Sequence, residues 1–374
     1  MTTPLIGRAW RTSAQSFALI LLVLGAGCAT APDKTAQGPV FYPSLPNPPR
    51  IQHLTSFSTS EDVEQKSSFR EFVVGTDEKK IDALSKPYGV AMYDGKLLAI
   101  DTRGGGYVVF DLVGKDFRRV RGTGSAHMVK PINITIDEDG TRYITDTQRK
   151  QVLVFDRLDN YVRAYGVAGQ FQPGDVALLE DKLYVTDLAG HKVHVLDKRS
   201  GETLFTFGGV GSNDGEFFYP TNIKISPQGI VYVSDTGNFR VQSFTLDGVF
   251  VGSHGRIGTG LGQFARPKGI DIDHEGRIYV VDAAFQNVQI LNPEGQVLLY
   301  FGGPGSDPES INLPTDVAVD YDNVKFFQKY AAPGFELEYV VLVASQYGAN
   351  KVNVFGFGHM QGMDYSMSEQ PLQR

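Results

Sequence analysis

A block of about 45 residues recurs six times between Lys86 and Gly358, and no other feature restricts the fold of the chain so strongly. Each copy opens on a proline, at Pro87, Pro131, Pro173, Pro220, Pro267 and Pro314, so that successive prolines lie 44, 42, 47, 47 and 47 residues apart. A short alternating run follows each proline. A second run ends on an acidic residue at Asp101, Asp146, Asp187, Asp235 and Asp282, with Ser345 in that place in the sixth copy. A third run covers 107–110, 152–155, 193–196, 241–244, 288–291 and 352–355, and a fourth closes most copies, as at 204–209 and 298–303.

These runs are rich in β-branched and aromatic residues. They are bounded by turn formers such as Asp94-Gly95, Asp139-Gly140 and Asp247-Gly248, which is the pattern of short antiparallel strands. A repeat of this length cannot bury its apolar faces alone, and stacking copies around an axis solves that problem. The expected fold is all-β: a six-bladed propeller of four-stranded antiparallel blades spanning 51–358. The sixth copy ends at 352–358 without a fourth run, while 51–57 has strand composition and no block of its own. The expectation is that 51–57 supplies the outer strand of the last blade and closes the ring. Residues 69–75 would then lead into blade one.

Gly215-Glu-Phe-Phe-Tyr-Pro220 and Gly262-Gln-Phe-Ala-Arg-Pro267 precede two of the first strands, and Asn238-Phe-Arg-Val-Gln242 follows a Tyr-Val-x-Asp run. On these motifs the chain resembles the NHL-repeat propeller family over 86–358. The fourth copy matches best. The others depart at Arg240, whose place is taken by Gly106, Gln151, Lys192, Asn287 and Lys351. The resemblance implies the propeller fold, with a polar contact between blades weakened in five of them. The family includes scaffolds, RNA binders, sensor domains and a lyase, so it implies no single activity.

Arg8 and Arg11 precede an apolar run at 17–24 that is short for a bilayer span and ends in small residues, as in an export signal over 1–27. The next residues, Gly25-Ala-Gly-Cys28, resemble the bacterial lipobox, although Leu24 stands one place earlier than that pattern prefers. The resemblance implies cleavage before Cys28 and lipid attachment to it, hence a membrane contact through Cys28. Ala29 follows it in place of aspartate, which points to the outer membrane of a Gram-negative bacterium. Cys28 is the single cysteine, so no internal disulfide is available. Residues 28–50 carry Pro43, Pro46, Pro48 and Pro49 and read as an extended tether; the polar stretch 359–374 reads as a disordered tail. Loss of Arg8 and Arg11 with the signal takes the formal charge from −7 to −9, which argues against nucleic acid as a partner. Lys115, Arg118, Arg119 and Arg121 fall on blade one's outer strand and read as a solvated, charge-guarded edge.

The second residue after each proline would face the channel, giving the ring Gly89, Asn133, Asp175, Asn222, Gly269 and Asp316. Four oxygen-bearing side chains on one axis could hold a hard cation such as calcium, and similar-looking channel sites occur in lactonase-type propellers. The plainer expectation is that Asn and Asp satisfy backbone groups at the strand entrances. A zinc lyase would need converging histidines, and none of the seven occupies the ring. Gly-x-Ser-x-Gly, Walker and Cys-x-x-Cys-His motifs are absent from the sequence, so no covalent haem is expected. The acidic residue at the end of the second run recurs in five blades and therefore reads as structure, since catalysis needs such a group once.

One copy breaks the repeat. From proline to the end of the second run takes 14 or 15 residues in five copies and 31 in the sixth. The extra residues carry Phe326, Phe327, Tyr330 and Phe335, and 323–330 is expected to form a short helix with the first three on one face. Insertions in such repeats often carry the binding face, so these four aromatics are a candidate partner surface; the alternative is that they only cover the end of blade six. The leading expectation is a non-enzymatic, lipid-anchored scaffold, without a cofactor, that meets an envelope protein or a carbohydrate. A metal-dependent hydrolase or lyase using Asn133, Asp175, Asn222 and Asp316 is the alternative, and a ligand-sensing propeller serving a separate signalling partner is a third. No oligomeric state is assigned.

Overall fold

The computed structural model describes residues 38–64, 81–167, 169–366 and 371–372. Cys28, the signal, the start of the tether and 69–75 lie outside the described residues. The strands form six antiparallel sheets, five of them four-stranded. The first strands of the blades are Pro87–Tyr93, Pro131–Ile136, Pro173–Leu179, Pro220–Ile225, Pro267–Ile272 and Asn312–Asp320. Each packs against the next, and the sixth packs against the first, so these six strands ring a central channel. Alternation explains the core. Blade faces stack on blade faces, so both sides of a middle strand are covered, and all five residues of Val231–Asp235 are buried. The outer strand Phe250–His254 alternates between half-buried and exposed positions. One apolar cluster joins Tyr184, Val193 and Phe207 of blade three to Phe217, Ile223 and Phe244 of blade four.

The sixth sheet has five strands, in the order Phe41–Tyr42, Ile51–Phe57, Val352–Met360, Phe335–Tyr347, Asn312–Asp320. Ile51 lies opposite Phe357 and Phe57 opposite Val352. The strand assigned to Phe41–Tyr42 sits where the sequence suggested only a tether. His359 and Met360, expected in a disordered tail, are instead the end of a strand, because the lengthened strand before it offers them Glu336 and Phe335 as partners. The Tyr365 hydroxyl then donates to the Pro49 carbonyl at 2.9 Å. None of the helices among the described residues is long and apolar enough to cross a membrane.

The repeated aspartates clamp loops. Asp101 accepts from the backbone N–H groups of Ser85, Lys86 and Gly104 at 3.0, 3.0 and 2.9 Å. Burial alone would raise its pKa, but these bonds and Arg119 hold it below the usual carboxylate value. Asp282 does the same for Ala265 and Ala284, at 2.7 and 2.9 Å. Arg240 donates to Asp235 at 2.9 Å and to the carbonyls of Asn213 and Glu216 at 2.8 and 3.0 Å. In blade one Gly106 stands in the place of Arg240, and the outer strand supplies the guanidinium: Arg119 donates to Asp101 at 2.8 Å and to Asp82 at 2.8 Å. Arg118 pairs with Asp159 of blade two at 2.8 Å. The expectation of a simply solvated basic edge is therefore corrected at these two residues, which are consumed by ion pairs.

The insertion in blade six forms two single 3₁₀ turns, Val324–Phe326 and Gln328–Tyr330, in place of the expected short helix. It lies over the junction of blades six and one. Asn323 Oδ1 accepts from the Gly95 N–H at 2.7 Å. Gln52 donates to the Tyr330 carbonyl at 3.1 Å and accepts from the Ala332 N–H at 2.9 Å. Phe327 is buried in a cluster with Phe57, Phe110 and Leu342, and Phe335 is buried too. Phe326 is half-buried, and Tyr330 is 38 % exposed. Of the four aromatics read as a partner surface, two are core and only Tyr330 is open, because an apolar ring at an uncovered blade junction gains most by filling it.

Candidate functional site at the mouth of the channel

The first strands carry a β-bulge just after the proline, seen in the register shifts between Pro173 and Val176, Pro220 and Ile223, and Pro267 and Ile270. A bulge leaves an unpaired residue and re-aims side chains, here at the ring positions themselves. The ring is not one uniform set of ligands. Asp175 accepts from its own neighbour Val176 at 2.8 Å and from Ile223 of blade four at 3.1 Å. Asn133 Oδ1 accepts from the Ile134 N–H at 3.1 Å. Asp316 Oδ2 accepts from Val90 of blade one at 3.0 Å, but its Oδ1 is buried without a partner. Asn222 is 1 % exposed, and neither its amide oxygen nor its amide nitrogen has a partner among the described residues.

Gly89 and Gly269 make these approaches feasible. A Cβ on Gly89 would sit 2.2 Å from Asn133 Oδ1, and one on Gly269 would sit 2.4 Å from Asp316 Cα and 2.6 Å from its Oδ1. Asp316 thus leans over the bare backbone of blade five.

Two residues that the sequence reading passed over belong to the same channel. Lys224 and Asp271 lie two residues beyond the ring on their strands, hence on the same face. Their ammonium and carboxylate are 3.9 Å apart. Asp271 Oδ2 also accepts from the Val319 N–H of blade six at 2.8 Å. Each is a charge between two isoleucines, and that break in an apolar run was the signal available. Lys224 is flanked electrostatically by Asp271, Asp175 and Asp316, which together raise its pKa against the opposing effect of burial. Burial lifts Asp175 to about 6, with Lys224 opposing. Burial drives Asp316 well above the usual carboxylate range, Lys224 again opposing and Asp175 adding to the rise.

Around this ring, on the proline side, stand Tyr88, Tyr219, Arg266 and Lys268. Burial raises the Tyr88 phenol strongly, and its charged neighbours include Asp316, Arg266 and Asp175, contributed by blades six, five and three. Tyr88 therefore reaches across the opening. Among the described residues no group of three or more His, Cys, Asp or Glu is placed to hold a metal ion. A lysine already stands among the three channel carboxylates, where a cation would have to enter.

No protein-family model matches the chain. Among solved structures it is similar to a gluconolactonase from Xanthomonas campestris, 13% identical, covering 87% of this chain and 99% of that one at a TM-score of 0.54. It is similar to an auxiliary nutrient binding protein from Bacteroides thetaiotaomicron, 13% identical, with coverages of 73% and 69% and a TM-score of 0.55. It is also similar to virginiamycin B lyase from Staphylococcus aureus, 15% identical, with coverages of 72% and 80% and a TM-score of 0.51. At such identities the likeness establishes the six-bladed propeller fold, which carries both binding proteins and enzymes.

Proposed function

We propose that this chain is an exported, lipid-anchored propeller of NHL type in the bacterial envelope, which binds a polar, oxygen-rich ligand at the proline-side mouth of its channel and does no chemistry on it. One observation carries the reading. Asn222 is buried with both amide atoms unpartnered, while Asp175, one blade earlier, commits both oxygens to backbone N–H groups. A buried polar group left unmade costs about 1–3 kcal/mol, and hydroxyl or carboxylate groups of a ligand would recover that cost. The cation-dependent hydrolase is the less supported alternative, because Lys224 already supplies positive charge to the carboxylates such an ion would use. The nutrient-binding proteins of similar fold are consistent with a binding role and carry no more than that.

The expected result for Asn222→Ala is an unusual pair of outcomes. Its denaturation midpoint stays at or above that of the unaltered protein, while thermal stabilisation by a panel of neutral and acidic monosaccharides disappears. Calcium-dependent opening of a lactone by the full chain, with no sugar-induced shift, would replace this reading by the hydrolase. The anchor rests on the sequence at Cys28: Cys28→Ala is expected to move the protein from the membrane pellet to the soluble exported fraction, and its retention in the pellet counts against lipidation.

A further inference from the structure

We propose that the blade-five entrance of the channel is a carboxylate site, in which Lys268 and Arg266 hold the acid group of an acidic sugar while Asn222 and Asp316 bond its hydroxyls. This rests on the binding role argued above and specifies its ligand class. Lys268 is 7 % exposed, yet its ammonium makes no hydrogen bond or ion pair among the described residues. Its ammonium is not among the nitrogens closed off from solvent without a partner, so the charge is offered to whatever enters from solution. The charge that acts on it is another cation. Burial first, and Arg266 second, lower Lys268 to about 8. Arg266 has no anionic partner among the described residues either. Two neighbouring cations at the mouth of a chain of net charge −7 define a place for an anion.

The surrounding groups select an anion that also carries hydroxyls. The Asn222 amide is free to donate and accept, and Asp316 Oδ1 is likewise buried without a partner. Tyr88 adds a phenol that stays protonated. A bare inorganic ion would leave most of these unused. Beside them Tyr219, 46 % exposed, holds a backbone φ of +64° immediately before Pro220. Residues before proline favour extended backbone, and such strain persists only where the surroundings over-determine it. Here the Tyr219 N–H donates to His191 Nδ1 at 2.9 Å, and that imidazole stacks on Phe218 with rings 5.3 Å apart and 2° from parallel. The result is an aromatic face fixed beside the mouth, suited to the apolar face of a sugar ring.

The test is calorimetric titration of the full chain with glucuronate, glucose, acetate and inorganic phosphate. Glucuronate is expected to bind at least tenfold more tightly than each of the other three. Lys268→Met should remove that advantage while leaving glucose unchanged, and Lys268→Arg should keep most of it. Lys268→Met should also denature no earlier than the unaltered protein, since it deletes a charge that has no ion-pair partner among the described residues. Tyr219→Ala should weaken both sugars and leave acetate unaffected. Equal binding of glucose and glucuronate overturns this inference and leaves the binding role standing. Acetate or phosphate as tight as glucuronate overturns the assignment to a sugar acid. No binding of either sugar, with Asn222→Ala indistinguishable from the unaltered protein, overturns both.

Discussion

A chain beginning after Phe57 is expected not to fold. Ile51, Leu54 and Phe57 are buried between the last strand of blade six and its neighbours. Fully burying such side chains is worth about 1.5–3 kcal/mol each, so their loss alone removes roughly 5–9 kcal/mol. That is comparable with the whole stability of a typical domain, about 5–15 kcal/mol. The ladder from Ile51–Phe57 to Val352–Met360 goes as well, exposing an edge rich in Val and Phe to other chains. Circular dichroism should show no cooperative melt for the shortened chain, and a separate peptide of residues 38–64 should restore one. A cooperative transition within a few degrees of the full chain's, without the peptide, would show that the N-terminal strand is dispensable to the ring.

Phe327→Ala should destabilise by about 3–5 kcal/mol, the usual cost of emptying a buried phenylalanine site. Phe327 stands in edge contact with Phe57 at 6.4 Å and shares its cluster with residues of blades one and six. The cavity would open at the junction that also holds the bonds Thr315 to the Tyr88 carbonyl, at 2.9 Å, and Val90 to Asp316, at 3.0 Å. That junction has little freedom to collapse. Tyr330→Ala, three residues on and exposed, should change stability by no more than about 0.5 kcal/mol. Equilibrium denaturation of the two variants separates the roles directly. Equal, small effects would mean that the insertion is a surface ornament and that its aromatics are available to a partner after all.

Those two residues show why the candidate site was only partly legible. In the sequence Phe327 and Tyr330 are equivalent aromatics in an insertion. Which of them is core depends on the position of blade one, whose Phe110 lies 217 residues earlier in the chain. The ring at Asn133, Asp175, Asn222 and Asp316 was readable because it recurs at a fixed offset from each proline. Its division into satisfied and orphaned members was not, because Asp175 is satisfied by Ile223 of the next blade while both amide atoms of Asn222 are left without a partner. Lys268 and Arg266 were in plain view beside Pro267, yet charges flanking a strand start are ordinary surface residues, as the exposed Arg266 still is, and only the fold shows that Lys268 is buried. Arg119 is the same lesson in reverse: a charge on an expected solvated edge proves to replace an arginine missing from the adjacent strand.

By itself the sequence determined the number of blades, the strands within them, the turns that join them and the residues offered to the channel, because all of these follow from local alternation and a repeating period. Tertiary structure alone decided which of those residues are spent holding neighbouring blades together and which are left with donors and charges unanswered. Hydrogen-bond satisfaction and desolvation depend on groups brought together from distant parts of the chain, and no local pattern records them.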